Sequence, residues 1–380
     1  MRYKKAKSYA LHILLFIITL ITTTIAGTEW IYGRSLLYSF LNAEAVPFFT
    51  SAQIQEGLLF SLPFLTVLTC HEFGHYFTAR YNGIRVSLPY YIPIWLGPVS
   101  TIGTMGAFIK IKERIFSKKE FFDVGIAGPL AGFVIALPLL YYGFTHLPAP
   151  EYIFKIHPEY KQYGLNYAQF VYEASPVPNI ALGKNLLFLF FEKYVADPAR
   201  LPNAYEIFHY PLLLAGYLSL FFTAFNLLPI GQLDGGHILY GLIGYRHFNQ
   251  ISPVLFFLFI GYAGLGIFAP DTPAEVAQWL YPGYAVYLYV VFRKTVPTAK
   301  YAVLLAAGLL AVQYGIVYLY PGTQGYIGWL VFGLLLGRVL GVFHPPAVDE
   351  GPLSLGRKAL GCLALLIFIV SFSPIPFVVQ

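Results

Sequence analysis

Residues 58–81 read LLFSLPFLTVLTCHEFGHYFTARY, an apolar run that encloses five residues of a different kind, His71-Glu72-Phe73-Gly74-His75. On a helix, His71 and His75 stand one turn apart on one face, where both imidazoles can reach a single ion. Glu72 is then placed to take a proton from a water activated by that ion. Ionisable side chains at membrane depth cost roughly 2.5–3.5 kcal/mol each on insertion scales, so three together call for a functional reason. The pentad predicts metal-dependent hydrolysis, and its surroundings place that chemistry in a bilayer. Taken alone, the two histidines could instead be a helix-packing pair.

The rest of the chain supports the bilayer. Its 380 residues are 57% hydrophobic and 11% charged, against about a quarter charged in a soluble domain. Repeated apolar runs predict an all-α polytopic membrane protein of eight or nine transmembrane helices, near 9–26, 57–81, 123–145, 209–230, 251–268, 277–292, 301–319, 326–342 and 358–377. Net charge is +6, but the basic residues are scattered over several loops without a clustered groove, so no nucleic-acid partner is expected. Cys70 and Cys362 both fall in apolar runs, which excludes a disulfide framework. Cys70, though next to His71, reads as a small buried hydrophobe.

Loop charge orients the spans. Arg2, Lys4, Lys5 and Lys7 put the N-terminus in the cytoplasm. On a nine-span count the same side carries Lys110, Lys112, Arg114, Lys118 and Lys119, then Arg246, Arg293, Lys294, Lys300, Arg357 and Lys358. Losing the weak span 277–292 would break this pattern. Met1–Lys7 and Thr24-Ile25-Ala26 imitate a signal peptide, yet the long run and the spans that follow favour an uncleaved first helix. The expected organisation is an N-terminal span and external loop (1–56), a catalytic membrane core (57–245) with an external insertion (146–208), and additional C-terminal spans (246–380).

Residues 84–112, IRVSLPYYIPIWLGPVSTIGTMGAFIKIK, are apolar, but prolines and glycines interrupt any helix and Tyr, Ile and Val favour extended backbone. A β-hairpin-like segment entering the membrane from the cytoplasmic side is expected, tolerated at depth where protein or a wet cavity surrounds it. An interfacial surface loop is the alternative.

A second motif closes the fourth span: Asn226-Leu227-Leu228-Pro229-Ile230-Gly231-Gln232-Leu233-Asp234-Gly235-Gly236-His237. Pro229 and Gly231 break the helix, and Gly235 and Gly236 allow close approach of another chain. Asp234 is a third ligand candidate; with two histidines it leaves one zinc position open, as a catalytic site requires. It could also cap the helix that follows. Asn226 either hydrogen-bonds a neighbouring helix or holds the substrate carbonyl. His237 reads as a structural or supporting residue. Gly128 and Gly132 in AGPLAG form a small-xxx-small face, and the third span is expected to pack there against the metal-bearing helix.

Together, HEFGHYFTARYNGIRVSLPYYIPI, DVGIAGPLAG and NLLPIGQLDGGH resemble the site-2 protease family of intramembrane zinc metalloproteases, in particular a subgroup found in plastids, cyanobacteria and other bacteria. The resemblance runs from about residue 57 to 245. It implies a zinc ion held by His71, His75 and Asp234, Glu72 as catalytic base, Asn226 at the substrate carbonyl, and the 84–112 hairpin, through Gly103, Thr104 and Gly106, holding the substrate as an extended strand. Transmembrane proteins would be the substrates, the lipid bilayer the medium, and a bacterial inner membrane the location. Many bacterial members carry a PDZ domain between the two motifs; 146–208 is too short for one. His344-Pro345-Pro346 resembles a stretch of the same subgroup and is read as a juxtamembrane turn. Two other classes compete: a non-catalytic relative that binds membrane helices, and a metal transporter. Intact Glu72 opposes the first, and the lack of a chain of acids across the spans opposes the second.

Overall fold

A computed structural model describes residues 2–42, 47–97, 101–173 and 179–379, with side chains from residue 9 onward. Among the described residues the protein is mostly helical, with two small two-stranded sheets. Four helices among the described residues are long and apolar enough to cross a membrane: Tyr9–Tyr32, Ser51–Tyr81, Lys118–Thr145 and Ala299–Leu319. Helices also form at the other expected spans, but several are shorter than a bilayer crossing, Pro211–Asn226 among them. The chain divides into two compact units, 1–114 with 127–225 and 366–380, and 115–126 with 226–365.

The first unit begins with α1 (Arg2–Tyr32) and the short α2 (Leu36–Leu41). Helix α3 (Ser51–Tyr81) starts six residues before the expected span, because Thr50 and Gln53 close a capping box: Gln53 N–H donates to Thr50 Oγ1 and Thr50 N–H to Gln53 Oε1. It stops at Asn82 and Gly83, where φ is +76°, a region that favours glycine. Strands β1 (Tyr90–Pro93) and β2 (Thr104–Phe108) pair antiparallel, Tyr90 opposite Phe108 and Tyr91 opposite Ala107. The expected hairpin is therefore present, and the hairpin packs on α1. Thr22 Oγ1 donates to Gly103 O at 2.6 Å, and His12 Nδ1 lies 3.0 Å from Pro89 O, a carbonyl that can only accept. Gly103 has φ +85°, and a Cβ there would meet Thr23 Cα at 2.3 Å, so only glycine fits this contact.

Helix α4 (Lys118–Thr145) follows, its residues from Ala127 on belonging to this unit. The segment after it holds two short helices, α5 (Ile153–Ile156) and α6 (Tyr167–Val171), with 3-10 turns around them, then β3 (Ile180–Leu182) and α7 (Leu186–Tyr194). Helix α8 (Pro211–Asn226) is buried over most of its length, as its unbroken apolar sequence requires. Its Leu213, Leu214, Tyr217 and Leu220 join Phe60, Phe64, Leu140 and Phe188 in the core.

The second unit holds α9 (Asp234–Ile243), α10 (Tyr245–Ala263), α11 (Ala274–Phe292), α12 (Ala299–Leu319) and α13 (Trp329–Leu334), which continues as a π-helical turn, Leu335–Leu340. Most of α14 (Leu355–Ser371) also lies here. The π turn interrupts what the hydropathy alone reads as one span, 326–342. Gly341, with φ +86°, ends it. Asp123 and Arg357 form a two-pronged ion pair, both N···O distances 2.8 Å. Back in the first unit, β4 (Phe377–Val379) pairs antiparallel with β3.

Candidate metal centre

The HEFGH pentad begins ten residues before the end of α3, inside a continuous helix. The helix places His71 and His75 on one face, with Nε2 atoms 3.1 Å apart and ring centroids 4.7 Å apart. Two nitrogens bound to one tetrahedral zinc at ~2.0–2.1 Å would lie about 3.3 Å apart, so the pair fits that ion closely. Glu72 Oε1 stands 4.0 Å from His71 Nε2. All three side chains are buried: His71 is 5% exposed, Glu72 4% and His75 7%. Buried imidazoles and a carboxylate this close are a donor set suited to a cation and a proton acceptor beside it.

Glycines make this packing possible. A Cβ on Gly128 would fall 2.1 Å from His75 Nε2, and one on Gly132 would fall 3.2 Å from His71 Cβ. From the other side, a Cβ on Gly74 would meet Ala127 O at 2.5 Å. The AGPLAG stretch of α4 therefore lies directly on the pentad, as the small-xxx-small spacing predicts.

The hairpin is tied to the same helix. Tyr91 of β1 and Thr69 of α3 share a hydrogen bond of 2.8 Å between their hydroxyls, two residues before His71. Nothing in the alternation of 84–112 singled out Tyr91, because its partner lies 22 residues away. Thr104 is buried; its Oγ1 donates to Ile92 O at 2.9 Å and accepts from Gly106 N–H at 3.0 Å. Gly106 has φ +103°, and only Phe222 Cε1, at 3.9 Å, lies near where its Cβ would be. Cys70 is a free, half-buried thiol.

Asn226 and Asp234 belong to the second unit, at the two ends of the turn 227–233. Leu233 has the extended backbone of an N-cap, φ −68° and ψ 165°, and Asp234 is the first helical residue. Asp234 therefore does not cap α9. The turn is tight enough to demand glycine at three places. Gly231 has φ +60° and its Cβ would meet Gly341 O at 2.1 Å; Cβ atoms on Gly235 and Gly236 would meet Leu227 O at 2.0 Å and Gly231 O at 2.2 Å. The two glycines after Asp234 thus let the helix start against its own preceding turn.

His237 has a partner of its own. Its Nδ1 lies 2.8 Å from Nε2 of His344, which is buried and stacks on Tyr240 with ring centroids 3.9 Å apart. His344 Nδ1 faces Pro345 O at 2.6 Å, so that nitrogen carries the hydrogen and Nε2 accepts from His237. Asn249 closes the loop, accepting from His344 N–H at 2.9 Å and donating to its carbonyl at 3.0 Å. His344-Pro345-Pro346 is thus a packed turn that orients His237, a role the local sequence did not reveal. Burial pushes the His344 imidazole down to about 4.

A family model described as Peptidase family M50 matches residues 59–264, more than half of the chain. The chain belongs to peptidase family M50. Among curated proteins it resembles the probable zinc metalloprotease EGY1, chloroplastic, of Oryza sativa subsp. japonica, with 27% identity over 62% of this chain and 38% of that protein. The probable zinc metalloprotease EGY2, chloroplastic, of Oryza sativa subsp. indica is 28% identical over 57% of this chain and 34% of its own length. The EGY1 protein of Arabidopsis thaliana is 27% identical over 62% of this chain and 40% of its own. The chain thus spans little more than a third of the length of these relatives. No solved structure matches it.

Proposed function

We propose that this chain is a zinc-dependent endopeptidase that cleaves transmembrane segments of other proteins within the bilayer. The observation that carries the reading is the buried His71–His75 pair, its Nε2 atoms at zinc-ligand spacing with the Glu72 carboxylate beside it. Membership of family M50 supports it, as do the names of the relatives.

In this reading His71, His75 and Asp234 hold the ion. When bound, zinc supplies Lewis acidity to the scissile carbonyl and to water. Glu72 accepts the proton of the attacking water and delivers it to the leaving amine. Asn226 donates its side-chain amide to the substrate carbonyl, where negative charge develops. Burial of the three α3 residues excludes bulk water, which strengthens each of these interactions.

A transmembrane helix satisfies its backbone within itself and must unwind locally to be cut. The hairpin offers the unwound segment a strand edge, since each strand of a two-stranded sheet has one edge unpaired within it. Thr104 and Gly106 lie within β2, and we assign them to that edge; Gly103, expected there too, instead holds the start of the strand on α1. The Tyr91–Thr69 bond ties β1, and through it the hairpin, to the helix that carries the pentad. We read nine crossings from the basic loops, with the N-terminus and the active site toward the cytoplasm; a bacterial inner membrane as the location rests on the family resemblance alone.

Glu72→Gln tests the reading. In proteoliposomes with a transmembrane reporter, it is expected to abolish cleavage while zinc content stays at the wild-type level. Retained cleavage would refute the assignment of Glu72. A change in zinc flux across the vesicle instead would favour the transporter.

A further inference from the structure

Away from the pentad, a second group of side chains converges as metal ligands do. His157, Glu206 and His209 each offer one ligand atom within 4.8 Å of the others, and all three lie in the first unit. His157 precedes the 3-10 stretch Pro158–Asn166, and Glu206 and His209 sit one turn apart on another, Ala204–His209. His209 Nε2 is 3.3 Å from His157 Nε2 and 3.2 Å from Glu206 Oε2.

The surrounding hydrogen bonds fix the tautomer of each imidazole in its neutral form. His209 Nδ1 faces the carbonyl of Ile31, which can only accept, so Nδ1 carries the hydrogen and Nε2 of the neutral ring presents a lone pair. His157 Nδ1 faces Glu159 Oε1 at 3.0 Å, so its Nε2 likewise presents a lone pair. Glu206 is 0% exposed; its Oε1 accepts from the Tyr172 hydroxyl, whereas its Oε2 finds no hydrogen-bond partner among the described residues and faces His209 Nε2 at 3.2 Å. With both rings neutral, three acceptors meet with no donor among them. A buried acceptor left unsatisfied is destabilising, more so when it is charged. A divalent cation removes the conflict, and two imidazole nitrogens on a tetrahedral zinc would lie about 3.3 Å apart, the spacing seen here. The carbonyl and carboxylate on the two Nδ1 atoms are the outer partners that metal-binding histidines use.

We propose that His157, Glu206 and His209 form a second zinc site. Two imidazoles and one carboxylate suit zinc better than calcium or magnesium, which favour all-oxygen shells. The His157 side chain is 24% exposed, which leaves the fourth position open to water. The site is separate from the pentad. The Tyr152 hydroxyl donates to His209 O at 3.1 Å and also lies 3.4 Å from Glu56 Oε2, near the start of α3. Glu56 and His71 are fifteen residues apart on that helix, roughly 22 Å at 1.5 Å per residue. An ion here ties His157 to the turn Ala204–His209, which is itself bonded to the end of α1 through Ile31 O.

The test is the zinc content of the purified full-length chain, loaded with zinc and desalted without chelator. We compare wild type, His157→Ala, Glu206→Gln and the double variant His71→Ala/His75→Ala. About two zinc ions per chain are expected in wild type and about one in each variant, since each site loses its ion with its ligands. The proposal is independent of the pentad: if the double variant keeps the wild-type content, the assignment of the pentad fails while the loss in His157→Ala still reads out the second site. Melting curves guard against misfolding. In excess chelator wild type and His157→Ala are expected to coincide, and added zinc is expected to raise the melting temperature of wild type more than that of the variant. Unchanged zinc content in both His157→Ala and Glu206→Gln would overturn the proposal and identify the cluster as a protonated His209 paired with Glu206. An equal response of both melts to zinc would overturn it as well.

Discussion

Replacing Gly128 by alanine adds one methyl group at the most confined point beside the pentad. The new Cβ would lie 2.1 Å from His75 Nε2, 2.4 Å from Cε1 and 2.5 Å from Cδ2. Ordinary contact needs about 3.5 Å, so ring and helix must separate by more than 1 Å. Zinc–nitrogen bonds tolerate about 0.2 Å, so His75 cannot stay a ligand while α4 stays in place. A misplacement of this size costs on the order of 100-fold in rate, and overpacking destabilises by about 1–3 kcal/mol. The assay is cleavage of a transmembrane reporter in proteoliposomes, with zinc content and melting temperature measured on the same preparation. Gly308→Ala on α12 is the control, because nothing lies within 4 Å of its added Cβ; its activity and zinc content are expected to match wild type. Gly132→Ala, with its nearest contact at 3.2 Å, is expected to fall between the two. Full zinc and full activity in Gly128→Ala would refute the packing argument.

Gly235→Ala should prevent the turn 227–233 from closing, because its Cβ would meet Leu227 O at 2.0 Å; loss of zinc-dependent cleavage is the readout, and unchanged cleavage contradicts it. Tyr91→Phe removes the bond to Thr69 and should lower cleavage several-fold with zinc content intact, since it loosens β1, on which the substrate-binding strand β2 is paired. His344 makes stability depend on pH. Its folded value of about 4 lies below the ordinary 6.5, so the neutral form is favoured in the fold. Stability is then complete above pH 6.5 and falls as pH drops toward 4, by on the order of 3 kcal/mol. His237, Tyr240 and Glu350 surround the ring, and Glu350 partly offsets the effect. Melting curves at pH 7 and pH 4.5 should show the decline in wild type and a weaker one in His344→Asn; parallel declines would count against it.

Much of the pentad's geometry was legible in the sequence because it is local. One helical turn separates His71 from His75, and the periodicity of the run implies that turn. The AGPLAG contact was legible for a similar reason: small residues four apart leave a groove, and a groove on an apolar helix is filled. The hairpin could be read from its prolines, glycines and β-branched residues, but not its clamp on α1, which depends on Thr22 and Gly103, 81 positions apart. Helix ends were displaced where polar capping residues extend α3 beyond its apolar stretch. His344 and the His157–Glu206–His209 group were missed because their partners are distant in sequence. The spacing Glu206-x-x-His209 was visible, but it is common and says nothing without the third residue.

The pairing of β3 with β4 bears on how the protein is made. Ile180, Ala181 and Leu182 bond to Val379, Val378 and Phe377, nearly 200 residues later. Tyr217 and Ser373 reinforce that seam through Gly183 O, and Phe377 stacks on Trp30. During synthesis the first unit therefore waits with an open strand edge while residues 226–365 emerge. An exposed edge of this kind invites wrong pairing, and contacts so distant along the chain form slowly. The last strand acts as a latch on assembly, so the first unit can be completed only after the second has been synthesised.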